Sequence, residues 1–198
     1  LHDALPIYPG AAAVVLLDEM VVRFVEGADL PEVEVEQHLQ TRLLTEAGRS
    51  AGSVTVHWTP GFMEVVELRA RIVRPDGTEK TFGREDAKDL MVAGGSTLYS
   101  DAHALILDLS DAPLGALVES RSTVRYRDPR LYVFSQAFGG SHPARLTRLR
   151  IEVPPWATAE HLARVGNERL DWPPQVITVE DGRQLIWEKR DLATLADE

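Results

Sequence analysis

GFMEVVELRARIVRPDGTEKTF, residues 61–82, combines a strand period with a turn signal. Val66, Leu68, Ala70 and Ile72 alternate with Glu67, Arg69, Arg71 and Val73, the period of two of a half-buried β-strand. Pro75-Asp76-Gly77 then reverses the chain. Proline presets φ at the first turn position, aspartate tolerates the second, and glycine accepts the left-handed conformation that returns the chain along a partner strand. Met63 and Val65 precede an inward Val66, and a β-bulge near Glu64 accommodates that slip of phase. The segment predicts an antiparallel hairpin and carries no evident chemistry.

The same pattern extends in both directions. Residues 14–25 place Val14, Leu16, Met20, Val22 and Phe24 on one face, with Asp18 as the exception on it. After a turn cluster, residues 33–44 put Val33, Val35, Leu39 and Leu43 inward and Glu34, Glu36, His38, Gln40 and Arg42 outward, so these two strands read as a hairpin with one wet face. Residues 45–53 read as a polar loop, 53–58 as a short strand, 83–88 as a helical turn and 89–93 as an edge strand. Further strands are expected at 104–109, 117–127, 132–138 and 144–153. A short helix or strand follows Thr158, and Asp181-Gly182 joins a final hairpin over 176–179 and 185–188. Strands at this spacing, without βαβ alternation, predict an all-β fold: a two-layer antiparallel β-sandwich of ten to thirteen strands with at most one or two helical turns. Residues 1–7 lack periodicity, and residues 1–13 are expected to lie outside the domain. Residues 14–198 are expected to form a single sandwich module, with a sub-boundary near 154 at Pro154-Pro155.

Composition narrows the function classes. Acidic residues outnumber basic ones by 31 to 21, a formal charge of −10 that repels phosphate backbones and argues against a nucleic-acid partner. No stretch approaches the roughly 18 to 20 apolar residues of a membrane span. The chain has no cysteine, which removes disulfides, thiolate metal sites and thiol nucleophiles together. Gly94-Gly95-Ser96-Thr97-Leu98 and Gly139-Gly140-Ser141-His142-Pro143 lack the second glycine of a nucleophile elbow. No two histidines have a recognised metal-ligand spacing, so neither a metal nor another cofactor is expected. His103 and His142 are placed in loops, and His103, with Asp101 and Asp108 near it in sequence, could join a metal or acid-base cluster. An enzyme would need His103 or His142 within reach of a carboxylate, whereas His38 and His57 fall on outward strand positions. Asp18 and Glu64 interrupt apolar phases, and Arg69 or Arg71 is the expected partner. Trp58, Tyr99, Asp101, His103, Tyr132, Trp156 and Trp172 are the candidates for a binding surface. Trp58, Trp156 and Trp172 stand beside proline or turn residues, where an aromatic either caps the core or meets a peptide or glycan.

Three stretches in order carry a family resemblance: LLTEAGRSAGSVTVHWTPGFMEVVELRARIVRPDGT (43–78), LYSDAHALILDLSDAPLGALVESRSTVRYR (98–127) and DGRQLIWEKRDLATL (181–195). Together they resemble the bacterial β-domain found N-terminal to transglutaminase-like, papain-related domains in exported proteins. The resemblance covers nearly all of the chain from about residue 14. It implies a non-catalytic module, periplasmic or otherwise extracytoplasmic, that packs against or presents substrate to a downstream transglutaminase-like domain in a longer chain. It supplies no catalytic residue to carry over. An independent peptide- or glycan-binding sandwich, acting through its aromatics or by strand addition at an open edge, is the alternative. A hydrolase in its own right would need a nucleophile-base pair that the sequence does not assemble.

Overall fold

A computed structural model of the protein describes residues 8–27, 30–92, 101–127 and 134–195. The hairpin forms where the sequence places it. β4 (Met63–Val73) pairs antiparallel with β5 (Glu79–Gly83), closed by Arg74 N–H donating to Thr78 O at 2.8 Å and Gly77 N–H donating to Arg74 O at 2.9 Å. Asp76 Oδ1 accepts from the Thr78 backbone at 2.9 Å and hydroxyl at 2.7 Å, and Gly77 sits at φ +85°, so all three turn residues act as their chemistry dictates. The bulge is present, but it lies between Val65 and Glu67. Val66 is therefore the extra residue and is 47% exposed, while Val65 is buried. The inward phase starts one residue earlier than the alternation suggests.

Thirteen strands are found among the described residues. With β1 (Ala13–Val25), β2 (Glu32–Leu43), β8 (Leu117–Tyr126), β9 (Ala144–Val153), β12 (Gln175–Val179) and β13 (Gly182–Leu192), the hairpin builds an eight-stranded sheet in the order β12-β13-β9-β1-β2-β8-β4-β5. A three-stranded sheet, ordered β3 (Val54–Trp58), β7 (His103–Leu107), β6 (Lys88–Met91), forms a second layer, and β10 (Ala163–Val165) with β11 (Glu168–Leu170) makes a small separate ribbon. The only helical pieces among the described residues are two 3₁₀ segments, Glu46–Gly52 and Arg84–Asp86. The first replaces the expected loop. A Cβ at Gly48 would lie 2.1 Å from Ala12 O, so this segment can lie tightly on the start of β1 only with glycine there.

The all-β sandwich is thus observed, with one departure from purely antiparallel pairing. β1 pairs antiparallel with β2 on one side and parallel with β9 on the other, from Val15↔Ala144 to Arg23↔Glu152. Parallel neighbours need a long crossover, and here it is nearly the whole of the intervening chain.

One face of the large sheet is apolar. In register, Val176, Leu185, Ile151, Val22, Val35, Val124 and Val65 cross it from β12 to β4 as an unbroken row. The three-stranded sheet covers one half: Leu105 and Leu107 pack in one cluster with Leu43, Leu68, Ile72 and Val118. Over the other half the cover is not a sheet. Residues 134–138, expected within a strand, run without strand pairing and lay Phe134 edge-on against Tyr126 at 5.0 Å and Phe138 against Trp172 at 4.6 Å. Their aromatic spacing serves to cap a face that needs covering. Trp156 meets Phe24 in the same way at 5.7 Å.

Leu107 is 1% exposed in the cluster between the layers. Leu107→Ala is expected to destabilise the fold by about 3 kcal/mol, whereas Thr55→Ala on the exposed face of β3 should change it by less than about 0.5 kcal/mol. Urea denaturation of both variants checks this.

Candidate functional site

Alternation sends the charged residues of the long strands to the outer face of the large sheet, where they pair across strands. Arg23 donates to Glu36 at 2.7 Å and to Glu152 at 3.1 Å, and Arg148 bridges Glu19 at 3.1 Å and Glu188 at 2.7 Å. Arg125 donates to Glu34 at 2.6 Å, and Arg127 pairs with Glu64. Val21 lies on this face between Glu36 and Arg150 in register, yet is only 2% exposed, because the long apolar stems of such residues screen it. Arg69 and Arg71 also face outward and pair with Glu67 and with Glu79 and Glu119. Neither reaches Asp18, which faces inward, and Glu64 takes Arg127 instead.

The most enclosed ionisable groups of this face, among the described residues, are Glu119 and His38. Arg71 engages Glu119 Oε2 through Nε and Nη2 at 2.6 Å, and His38 Nε2 and Gln40 Nε2 lie 2.7 Å and 3.2 Å from Oε1. His38 is 8% exposed, although its outward phase predicted a solvated side chain. Polar neighbours on a strand face can bury a histidine as fully as apolar ones, and periodicity cannot see that. Burial would raise the Glu119 carboxyl, but the hydrogen bonds from His38, Arg71 and Gln40 outweigh it and hold the pKa down to about 2. A hollow of about 500 Å³ opens beside it, lined in part by Arg69, Arg71, Thr81 and Arg121. Arg121 lies 3.6 Å from Glu36, so each of these arginines has a carboxylate partner and the hollow is charge-compensated.

Asp18 is the opposite case. It lies on the apolar face of β1 and accepts hydrogen bonds from the Gln37 amide and, at 2.8 Å, from the Gln136 amide. Burial pushes its carboxyl up, more than these two bonds lower it. No cation meets it among the described residues, and the expected ion pair is replaced by two neutral donors.

The predicted binding residues divide into separate places. Tyr99 and Tyr132 lie outside the described residues. Trp58 and His103 come together at one end of the small sheet, their rings 5.1 Å apart, with the Arg84 guanidinium 6.0 Å from the Trp58 ring. The carboxylate that meets His103 is Asp89 of β6, at 2.8 Å from Nδ1, and neither Asp101 nor Asp108 does so. Asp101 is exposed, and Asp108 instead accepts from the Ser110 backbone at 3.1 Å. No group of three or more histidine, aspartate or glutamate side chains suited to a metal is found among the described residues.

Trp172 and Trp156 belong to the other half of the molecule. Trp172 lines a hollow of about 330 Å³ with His161, Ala163, Arg169, Leu170 and Asp171. Its ring lies under the Lys189 ammonium at 5.0 Å, and its carbonyl accepts from Trp187 Nε1 at 2.9 Å. His161 stacks near Trp187 at 5.1 Å and was not singled out in the sequence, since nothing in its neighbourhood gives it a period or a partner. Trp156 is 62% exposed. An aromatic floor beside a basic and an acidic side chain can hold a polar, partly apolar ligand, and it assembles no nucleophile.

These features define a two-layer all-β module with one self-paired charged face and no helix, among the described residues, long and apolar enough to cross a membrane. The chain belongs to the DUF3857 family, a domain of unknown function with a solved structure, whose profile matches residues 32–196. A crystal structure of a protein provisionally described as a protease, from Parabacteroides distasonis, superposes with a TM-score of 0.77 at 15% identity, over 94% of this chain and 37% of that one. At that identity the likeness shows the fold alone. Native leukotriene A4 hydrolase of Saccharomyces cerevisiae overlaps with a TM-score of 0.44 at 11% identity, over 92% of this chain and 28% of that one, too weakly to carry an argument. The chain therefore spans well under half of either solved protein. No curated protein matches it.

Two pH effects of opposite sign follow from the carboxylates. Glu119 is depressed when folded, so its stabilisation is present above its ordinary value of 4.5 and is lost as pH falls toward about 2; Glu119→Gln should flatten the acid limb of a stability-against-pH curve. Asp18 is raised when folded, so its contribution is greatest in acid and is lost as pH rises through its folded value. Asp18→Asn should accordingly match or exceed the parent in stability at pH 7 and lose that advantage at about pH 3. Thermal melts across pH read both.

Proposed function

We propose that this chain is a non-catalytic accessory module of a bacterial, exported transglutaminase-like protein, which packs against the catalytic domain or presents substrate to it. The observation that carries this is one of proportion: the same fold, matched over 94% of this chain, occupies 37% of a much longer protein provisionally described as a protease. Two further facts agree with it. Papain-related cores perform acyl transfer through a cysteine, and this chain has none, so such a nucleophile belongs to another segment. The three ordered stretches that resemble the transglutaminase-associated β-domain all lie inside the region matched by the family.

In this role the module contributes a rigid surface. Its charged face is paired with itself and would need no partner for stability. The aromatic caps and the open strand edges are the parts whose chemistry suits contact with another domain or with an extended substrate segment.

Reading the gene beyond codon 198 tests the proposal. A cysteine followed by a histidine and an aspartate at the spacing of a papain-related core is expected. A stop codon soon after residue 198, with no such core, would contradict it.

A further inference from the structure

The large sheet ends on one side at β12, and this edge differs from those at β5 and β6. β5 carries Glu79 and Lys80, and β6, which borders the small sheet, carries Lys88 and Asp89. Charges of that kind are what keeps an exposed edge from pairing with another strand. β12 reads QVITV, with no charge, proline or bulge, and all five residues are exposed. Val176 is 57%, Ile177 38% and Val179 40% exposed, although Val176 continues the apolar row of the core. Pro173-Pro174 before it and the Glu180-Asp181 turn after it limit any further pairing to these five positions.

We propose that β12 is a self-association edge, at which two copies of this chain pair antiparallel about a twofold axis through Ile177. Val176 and the near-isosteric Thr178 flank that residue, and this local symmetry favours a second copy over an unrelated partner. In this register Ile177 faces Ile177 of the second copy, Val176 faces Thr178 and Gln175 faces Val179, so every β-branched side chain has a cross-strand mate on its own face. The acidic Glu180-Asp181 turn of each copy lies beside the uncharged Pro173-Pro174 of the other, so no like charges meet despite the net charge of −10. The contact is isologous and closes, leaving no β12 edge to propagate. Five residues of strand bury less than the roughly 1,200–2,000 Å² of a stable interface, so the dimer is weak and concentration-dependent. This inference does not rest on the accessory role proposed above.

The absence of cysteine makes a clean test possible. Residues directly opposed across an antiparallel pair have Cα atoms about 4.5–5.5 Å apart, within disulfide range, whereas two copies of position 175 would be offset by four residues, about 14 Å along the strand. Ile177→Cys should therefore oxidise to a covalent dimer at least tenfold faster than Gln175→Cys. The unmodified chain should shift from monomer toward dimer in sedimentation velocity as concentration rises, and Ile177→Lys should abolish the shift. A chain that stays monomeric at every concentration, equal crosslinking of the two cysteine variants, or a dimer that survives Ile177→Lys each overturns the proposal. So does protection of the β12 amides in hydrogen exchange that appears only when the chain is lengthened past residue 198, which would assign the edge to a following segment.

Discussion

The pairing of β1 on both its edges holds this molecule together. On one side lie β2, β8, β4 and β5, a set of antiparallel neighbours closed by the hairpin at residues 63–83. On the other lie β9, β13 and β12. The three-stranded sheet covers the part of the apolar face around Leu43, Leu68 and Val118, and aromatic side chains from irregular segments cover the rest, including Val33 and Val35 of β2. Only β1 is hydrogen-bonded to both groups of strands. Its parallel ladder to β9 carries Val22 beside Ile151, and its antiparallel ladder to β2 carries Val22 beside Val35, so one residue stands in register between the two groups of strands. The family match begins at residue 32, after β1 has ended at Val25. The strand in the middle of the sheet thus lies outside the stretch by which the chain is recognised.

The two faces of that sheet handle charge in different ways. Outside, arginine and glutamate alternate across strands in a network whose members are partly solvated, so each pair adds little by itself. Glu119 is the exception, because enclosure by His38, Arg71 and Gln40 makes its ionised form the stable one. Inside, Asp18 is held by amides alone, and burial favours its neutral form. A protein with a formal charge of −10 therefore spends little of that charge on its core, and the carboxylates that depart most clearly from ordinary behaviour do so for local reasons.

Much of this fold was legible in the residues, because period-two alternation and turn chemistry are local. Pro75-Asp76-Gly77 and Asp181-Gly182 made the hairpins readable, and the acidic turn at Arg84–Asp86 was visible too. What was not legible depended on distant partners. Nothing local announces that β9 will lie parallel to β1, or that Phe134 and Phe138 cap a face from outside any sheet. His38 looked solvated because alternation gives the direction of a side chain and not what covers it. Among the candidate binding residues, Trp58 and His103 do meet, but the carboxylate beside them is Asp89, which lies near them only through the pairing of β6 with β7. Trp156 and Trp172 stand in the other half, where their neighbours come from segments far apart in sequence.

The role of β1 is open to one direct measurement. Removing residues 1–26 takes away β1 and leaves β2 onward intact, including the whole of the family match. If β1 is the strand that unites the sheet, the shortened chain loses cooperative thermal unfolding and exposes apolar surface to a dye such as ANS. A shortened chain that melts in a single sharp transition at the midpoint of the full one would contradict the account, since the two halves would then hold together without the strand that joins them.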